Sequence, residues 1–295
     1  MNAASTEVQT FLNEPSTPTF RLPALACDSH VHVFGPRPRF PYAQGLKVTP
    51  KDAPKEALYA LHKRLGIERC VVVQSATHGY DNSATEDAIK HGQGRYLGIA
   101  LVAPDVSDAE LSRLASAGFR GVRFNFMKHL AGADIDSIVA LTPRLAQHGM
   151  HLQVHFESSL VHELGLALRR SAVPVVIDHM GRVDARLGTG HVDFQALMRL
   201  LDDDQFFVKV SGIDRVDADA APEERYRHGE VLARALVERF PDRVLWGTDW
   251  PHPNHTHIPD DGALVNALER IAPNEEALQK LLVRNPQMLY RFEAA

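Results

Sequence analysis

The chain has 295 residues, of which 44% are hydrophobic and 23% charged, the balance of an ordinary globular protein with room for a sizeable core. Its formal net charge of -5 gives no basic footprint, which argues against nucleic acid or an anionic membrane as partner. No stretch approaches the roughly 18 apolar residues of a membrane span, and the N-terminus lacks a basic region followed by an apolar run. We therefore expect neither a span nor a signal peptide.

Cysteine and histidine are the two informative residue types. The two cysteines, Cys27 and Cys70, both stand in strand-like apolar runs, which favours buried thiols over a disulfide and predicts a reducing, cytoplasmic setting. The 16 histidines are unusual for this length. They have functional meaning only if several of them share one site.

Hydrophobic patterning divides the chain into alternating strands and helices. Residues 1–23 are polar and rich in proline, and we expect a loosely held N-terminal arm there. Short apolar runs predict eight strands, at about 26–33, 70–74, 96–102, 121–126, 151–156, 173–179, 206–211 and 243–249. Helical periodicity and glycine stops predict helices at 53–65, 82–91, 108–117, 136–148, 158–170, 194–201, 222–240, 262–271 and 275–282.

This alternation indicates an α/β fold with a parallel sheet, because parallel strands need a crossover between them. Eight such units fit a (β/α)8 TIM barrel, which makes residues 1–295 a single barrel domain. The alternative is an open doubly wound sheet, which needs no closure. No Gly-x-Gly-x-x-Gly or Walker-type loop follows a strand, so the sequence gives no support for a nucleotide site.

Two histidines, His30 and His32, end the first strand. Residues two apart on a strand share a face, so both rings converge if that face lines a barrel. Taken alone, a His-x-His pair is more often part of a hydrogen-bonded core. The last strand favours a functional interpretation of the pair, because it is also apolar and ends in a carboxylate, Asp249.

Most of the strands between them also end in polar residues. In a barrel these ends meet at one rim, where the chemistry of the fold lies. The candidates in chain order are Gln74, Ser75, His78, Arg123, Asn125, His155, His179, Arg182, Lys209, Ser211, Asp214, Arg215, Asp249, His252 and Asn254. A folding core does not need this concentration of polar groups at one end, because buried charges are costly unless they are paired.

Several candidates also have plain structural interpretations. His155 could be a hydrogen-bonded core residue, and Lys209 could point outward because it alternates with valines. Arg182 and Arg215 could equally be surface charges on loops. For His255 and His257, on a loop without strand register, we expect surface positions, as we do for the helix and loop histidines His148, His162, His191 and His228.

The spacing of His30-x-His32, His155, His179 and Asp249 resembles the amidohydrolase superfamily. More narrowly, the segments DSHVHVFGP, GVRFNFMK, VVIDHMGRVDAR and LWGTDWPHPN resemble the 2-pyrone-4,6-dicarboxylate lactonases over about residues 20–292. The resemblance implies a barrel, hydrolysis of a carboxylated lactone from aromatic-compound degradation, and no required metal.

The resemblance also implies roles for individual residues. Asp249 would activate water as a general base, and His30, His32 and His179 would supply donors to the developing oxyanion. Arginines suit the carboxylates of a small anionic lactone. We expect Arg123 to be the strongest substrate contact, followed by Arg182, Arg215 and Asn254, with His155 and Ser75 also contacting the substrate.

Four positions depart from the lactonase pattern. Val48 and His155 replace tyrosines, Ala76 replaces a serine, and His129 replaces an arginine. Since these are positions expected to contact substrate, we expect a retained hydrolytic centre with a changed specificity pocket.

His155 also completes a metal-ligand set. Metal-dependent members of the superfamily use a histidine there, so a bound Zn²⁺ would be held by His30, His32, His155, His179 and Asp249. A zinc-dependent hydrolase or decarboxylase acting on another small carboxylic acid is therefore the alternative. A third hypothesis is a barrel that only binds a small acid. It predicts loss of the base or of His30 and His32, whereas this sequence keeps all of them. The sequence does not define the oligomeric state.

Overall fold

The computed structural model describes residues 7–46, 48–126, 134–217, 226–255 and 257–293. Eight parallel strands pair in sequential order, each with the next along the chain. They are β1 Cys27–Val31, β2 Arg69–Val73, β3 Tyr96–Leu101, β4 Phe119–Phe126, β5 His151–Phe156, β6 Val175–Ile177, β7 Phe206–Lys209 and β8 Val244–Leu245. A further pair of two-residue strands, Glu7–Val8 and Thr49–Pro50, lies outside this sheet.

Backbone hydrogen bonds close the sheet into a barrel. Beyond the end of β8, the Trp246 and Trp250 carbonyls accept from the amides of Ser29 and His32, and the Asp249 amide donates to the His30 carbonyl, all at 2.7–2.8 Å. This closure excludes the open doubly wound sheet. The predicted (β/α)8 architecture is confirmed.

Helices follow the strands around the outside. They are α1 Lys55–Leu65, α2 Ser83–His91, α3 Asp108–Ser116, α4 Ile135–Gln147, α5 Val161–Leu168, α6 Val192–Leu201, α7 Arg227–Arg239, α8 Asp261–Asn266, α9 Leu268–Ile271, α10 Glu275–Gln279 and α11 Asn285–Tyr290. Among the described residues, none of the helices has the length and apolarity needed to cross a bilayer.

The C-terminal helices differ from the prediction. The stretch expected as one helix over 262–271 is divided into α8 and α9, and the stretch over 275–282 passes from α10 into a π-helical turn, Lys280–Arg284. Helix α11 was not predicted, because Pro286 interrupts the pattern. Pro286 lies in the first turn of α11, where its missing amide proton costs little.

The described part of the N-terminal arm is anchored, contrary to the expectation of a loosely held segment. Phe11 is buried, and its ring centroid lies 5.2 Å from that of Trp250. The Thr19 amide donates to Asn266 Oδ1 at 2.9 Å. These contacts hold the arm against the segment after β8 and against α8.

The core has two parts, inside and outside the barrel wall. Val71 and Val73 of β2 belong to an inner cluster with Phe207, whereas Cys70 and Val72 pack outward against helices. Tyr290 and Phe292 join the inner cluster and fill it from the C-terminal segment. Because alternate residues face inward, this parity also decides which polar side chains enter the barrel.

Candidate active site

Asp249 lies at the centre of the rim, as the sequence predicts. Its Oδ1 is 3.4 Å from His32 Nε2, 3.7 Å from His30 Nε2 and 3.9 Å from His179 Nε2. All four side chains are at most 3% exposed. The structure therefore brings together the four residues predicted to be catalytic.

A close contact between β1 and the segment after β8 positions Asp249. The carboxylate of Asp28 accepts from the Thr248 amide at 3.1 Å and from the Thr248 hydroxyl at 2.6 Å. A Cβ on Gly247 would lie 2.5 Å from the His30 amide nitrogen, so only glycine fits there. Asp249 itself has a φ of 67°.

Hydrogen bonds constrain which ring nitrogens can donate into the site. His32 Nδ1 lies 2.7 Å from the Val73 carbonyl, which can only accept, so Nδ1 carries a proton and Nε2 faces Asp249. His30 Nδ1 lies 3.3 Å from Lys209 Nζ and 3.2 Å from Asp178 Oδ1, so it can accept from the ammonium or donate to the carboxylate, and either tautomer is satisfied. His179 Nδ1 pairs with the Ser211 hydroxyl at 2.9 Å, and this bond permits either tautomer.

The His30 and His179 rings stay neutral near pH 7. Burial, followed by the charge of Lys209, lowers the pKa of His30 to about 4. Burial likewise lowers the pKa of His179 well below its usual value, although Asp249 opposes the shift. Burial alone would raise the pKa of Asp249, but Arg215 and the nearby histidines hold it well below the usual range. The carboxylate is therefore ionised and the two rings are uncharged.

Beneath this group lies a layer of buried charges around Asp178, a residue that the sequence interpretation missed. Asp178 accepts from Arg123 Nε at 2.8 Å and from Gln153 Nε2 at 3.1 Å, and its other oxygen lies 3.6 Å from Lys209 Nζ. Burial lowers the pKa of Lys209 to about 8, while Asp178 favours its charged form. The available signal was position, since Asp178 directly precedes His179 at the end of β6.

Lys209 points into the barrel, so the outward orientation considered from the sequence is wrong. Its neighbours Val208 and Val210 belong to the outer part of the core, and Phe207 belongs to the inner part. By the same parity Lys209 enters the barrel, where it is fully buried and donates to Gln153 Oε1 at 2.8 Å.

The three predicted arginines differ in their hydrogen-bond partners. Arg123 donates from Nε to Asp178 Oδ2, and Arg215 donates from Nη2 to Asp249 Oδ2 at 2.6 Å. Arg182 is partly buried and makes no hydrogen bond or ion pair with any other described residue. Burial, followed by the charge of Arg215, lowers the pKa of Arg182.

The remaining predicted contacts are more varied. Ser75 caps the short turn Ala76–His78 by accepting from the Thr77 amide at 3.2 Å, and Asn254 is exposed. His155 Nδ1 pairs with Asn125 Oδ1 at 3.1 Å, and its buried Nε2 makes no hydrogen bond in the described part of the chain. Its ring centroid lies 5.4 Å from that of His179.

The positions that depart from the lactonase pattern are only partly described. Val48 is 53% exposed, and Ala76 is exposed at the start of its turn. His129 lies outside the described residues.

His255 and His257 are buried, and the expectation that they lie on the surface is wrong. Their Nε2 atoms lie 2.9 Å and 3.2 Å from Asp214 Oδ2, with side chains 2% and 10% exposed. His252 is also buried and lies 3.1 Å from Asp261. The loop folds inward because Asp214, which is fully buried, needs partners.

The site residues can also be tested against a metal ion. Among the described residues, two groups bring three ligand atoms within 4.8 Å of one another, namely His30, Asp178 and His179, and His30, His32 and Asp249. His155 belongs to neither. Because His30 Nε2 and Asp249 Oδ1 are buried without a hydrogen-bond partner, and imidazole with carboxylate suits Zn²⁺, this donor set fits a metal chemically.

A closed (β/α)8 barrel with histidines and an aspartate at its carboxyl rim is the arrangement of an amidohydrolase-type enzyme. The family model described as Amidohydrolase matches residues 27–292, and the chain therefore belongs to this family. The resemblance inferred from the sequence is confirmed.

Individual relatives narrow the comparison to lactone hydrolases. The chain is 45% identical to the 2-pyrone-4,6-dicarboxylate hydrolase of Comamonas testosteroni, over 94% of this chain and 93% of that protein. It is 39% identical to the 4-sulfomuconolactone hydrolase of Hydrogenophaga intermedia, over 92% and 90%. A solved structure from Pseudomonas putida, provisionally described as a 2-pyrone-4,6-dicarboxylic acid hydrolase, has a TM-score of 0.81 at 31% identity and covers 93% of this chain and all of that one.

Proposed function

We propose that the protein is a lactonase that opens the ring of a small anionic lactone by adding water to the carbonyl carbon. The observation that carries this proposal is that the two carboxylate oxygens of Asp249 have different surroundings. Arg215 occupies Oδ2 at 2.6 Å, whereas Oδ1 faces three imidazole rings and makes no hydrogen bond among the described residues. Oδ1 is thus an ionised, oriented and unoccupied acceptor, which is what a general base requires.

The attacking water is bound at Asp249 Oδ1, to which it donates one proton. His32 Nε2 lies 3.4 Å from that oxygen, so the same water also contacts the His32 ring. A lone pair of this water then points away from both, toward the bound carbonyl. Asp249 takes the proton as the new C–O bond forms. The oxyanion then collapses, the ring C–O bond breaks, and the protonated Asp249 returns its proton to the leaving ring oxygen.

The developing oxyanion needs donors rather than acceptors. His30 supplies one in the tautomer whose Nδ1 accepts from Lys209 and whose Nε2 carries the proton. His179 supplies a second when the Ser211 hydroxyl donates to its Nδ1. His32 differs from both, because its Nδ1 proton goes to the Val73 carbonyl, although the sequence interpretation assigned the same role to His30 and His32.

Substrate recognition rests on guanidinium groups at the rim. Of the three rim arginines, Arg182 is the one that makes no hydrogen bond with another described residue, and Arg215 Nε is buried without a partner in the described chain. Both suit a carboxylate or sulfonate of the substrate. The names of the relatives specify such anionic lactones. We infer 2-pyrone-4,6-dicarboxylate as the first substrate to test and 4-sulfomuconolactone as the second.

We infer that the reaction needs no metal. If an ion were bound, His30, His32, His179 and Asp249 would hold it, and it would lower the pKa of a bound water. The charges around the site do not favour binding of a further cation. The carboxylates of Asp178 and Asp249 are already paired with three cationic side chains, namely Arg123, Lys209 and Arg215. The zinc-dependent alternative is therefore not favoured.

The proposal is tested with protein purified without added metal. Each of the two lactones is incubated with the enzyme before and after chelation, while ring opening and CO₂ release are followed together. We expect a ring-opened product without CO₂ and no effect of chelation. Release of CO₂ would instead identify a decarboxylase, and binding without turnover would identify a small-acid binding protein.

We also infer a cytoplasmic setting. Cys27 and Cys70 are both buried and unpaired, which supports a reducing compartment.

A further inference from the structure

Three acceptors surround one nitrogen of Arg215. Its Nη2 lies 2.6 Å from Asp249 Oδ2, 2.9 Å from the Pro253 carbonyl and 3.1 Å from His255 Nδ1. The guanidinium therefore contacts Oδ2 of the general base, whereas the three histidines face Oδ1. Whatever fixes Arg215 also fixes which oxygen of Asp249 stays available.

The ring of His255 is in turn held by Asp214, on the side away from Arg215. Because its Nδ1 accepts from Arg215, its proton lies on Nε2, which is 2.9 Å from Asp214 Oδ2. The His255 side chain is 2% exposed, and that of Asp214 is fully buried. Burial and the neighbouring guanidinium lower the pKa of His255, so the ring remains a neutral acceptor. A cation there would repel Arg215 instead of holding it.

We propose that His255, backed by Asp214, is a positioning residue that holds Arg215 on Asp249 and so keeps Oδ1 facing the water. An arginine side chain has several rotatable bonds, and His255 adds a third contact to those that Nη2 makes with Asp249 and the Pro253 carbonyl. The pairs Asp214 to His255, His255 to Arg215 and Arg215 to Asp249 form one continuous line of buried polar contacts. This inference rests on the proposed lactone hydrolysis for its catalytic consequence, but not for its geometry.

The test compares two substitutions at His255. His255→Leu removes the acceptor, whereas His255→Gln keeps an acceptor for Arg215 and a donor for Asp214. We expect the leucine variant to lose roughly 10- to 100-fold in kcat, as misplaced catalytic groups do. We expect the glutamine variant to recover most of that loss. His257→Leu is the matched control, since His257 lies against the same carboxylate but makes no hydrogen bond with Arg215, and its kcat should stay within about twofold of wild type.

A double-mutant cycle separates positioning from general destabilisation. If His255 acts through Arg215, adding His255→Leu to Arg215→Met should cost little beyond the Arg215 substitution alone. Full additivity would overturn the proposal, as would equal losses in the leucine and glutamine variants or wild-type kcat in the leucine variant.

A readout without substrate keeps the inference separate from the function. The Nε–H signal of Arg215 in ¹⁵N NMR spectra, identified by its loss in Arg215→Lys, reports how firmly the guanidinium is held. We expect this signal to be sharp in the wild type and in His257→Leu, and broadened in His255→Leu. If the wild type opens neither lactone, the proposed function fails, while an unchanged signal in His255→Leu would overturn the positioning role by itself.

Discussion

At the scale of single residues, the site depends on directions of hydrogen bonds more than on proximity. His30 and His32 lie two positions apart, yet their Nδ1 atoms have different partners. His32 Nδ1 donates to the Val73 carbonyl, whereas His30 Nδ1 lies 3.3 Å from Lys209 Nζ and 3.2 Å from Asp178 Oδ1. Asp249 is asymmetric as well, because Arg215 occupies one of its oxygens and leaves the other for chemistry.

Replacing Asp249 by asparagine should abolish the base while preserving the shape of the side chain. We expect a loss of roughly 10²- to 10⁴-fold in kcat, the usual contribution of a general base. Ring-opening rates measure the loss, and circular dichroism checks the fold. Asp204→Asn, at a carboxylate 98% exposed, is the control and should be neutral. Near-wild-type turnover in Asp249→Asn would remove this residue as the base.

Arg182 should be the cleaner anchor for the substrate anion, although Arg123 ranks first from the sequence. Arg182→Met should raise KM roughly 10- to 100-fold, the cost of a lost charged hydrogen bond, with little change in melting temperature. The control is Arg186→Met, at an exposed arginine paired with Asp184. An unchanged KM in Arg182→Met would show that the substrate charge is bound elsewhere.

Arg123→Met should behave differently from Arg182→Met. It leaves the buried carboxylate of Asp178 without its 2.8 Å guanidinium partner, and losing one partner of a buried pair costs about 3–5 kcal/mol. We therefore expect a marked drop in melting temperature together with any change in KM. Thermal unfolding followed by circular dichroism measures it. A melting temperature equal to that of the wild type would contradict the structural role assigned to Arg123.

At the scale of elements, the junction between β1 and the segment after β8 links barrel closure to the position of Asp249. Gly247→Ala would place a methyl group 2.5 Å from the His30 amide and 2.8 Å from Asp28 Oδ1. We expect a lower melting temperature and lost activity together, because the same contact closes the barrel and orients the base.

Gly165→Ala is the matched control for that substitution. Gly165 lies in α5, where an added Cβ would meet Leu200 at an ordinary 3.6 Å. We expect a gain of up to about 1 kcal/mol from helix propensity. Differential scanning calorimetry measures the melting temperatures of both variants. If Gly247→Ala is as stable as Gly165→Ala, the close contact assigned to Gly247 is contradicted.

The strands and the rim were predictable because their signals are local. Apolar runs and glycine stops define the barrel, and the polar residues that end the strands define its rim. The early ends of β6 and β8 were not predictable, since the positive φ angles of His179 (49°) and Asp249 (67°) depend on contacts distant in sequence. The burial of His255 was hidden for the same reason, because its partner Asp214 lies on another loop.

At the scale of the whole molecule, buried neutral histidines should make stability depend on pH. Burial, followed by the charge of Lys209, lowers the pKa of His151 to about 3, whereas an unfolded histidine titrates near 6.5. As the pH falls from 6.5 toward 4, the unfolded chain binds protons that the folded chain excludes. Stability is therefore full above pH 6.5 and declines below it.

The substitution His151→Leu removes one such group, well below the rim. We expect its melting temperature to fall less between pH 7 and pH 4.5 than that of the wild type. His91→Leu, at a histidine with a side chain 50% exposed, is the control and should keep the wild-type slope. Equal slopes in all three proteins would contradict the assignment of His151 as a buried neutral group.

The central claim is metal-independent opening of an anionic lactone by water activated at Asp249. The most direct measurement is turnover of 2-pyrone-4,6-dicarboxylate by chelator-treated wild-type protein in ¹⁸O-labelled water, with products identified by mass spectrometry. We expect a ring-opened acid that carries one labelled oxygen, no CO₂, and an undiminished rate. Release of CO₂, or activity that is lost on chelation and restored by zinc, would contradict the claim.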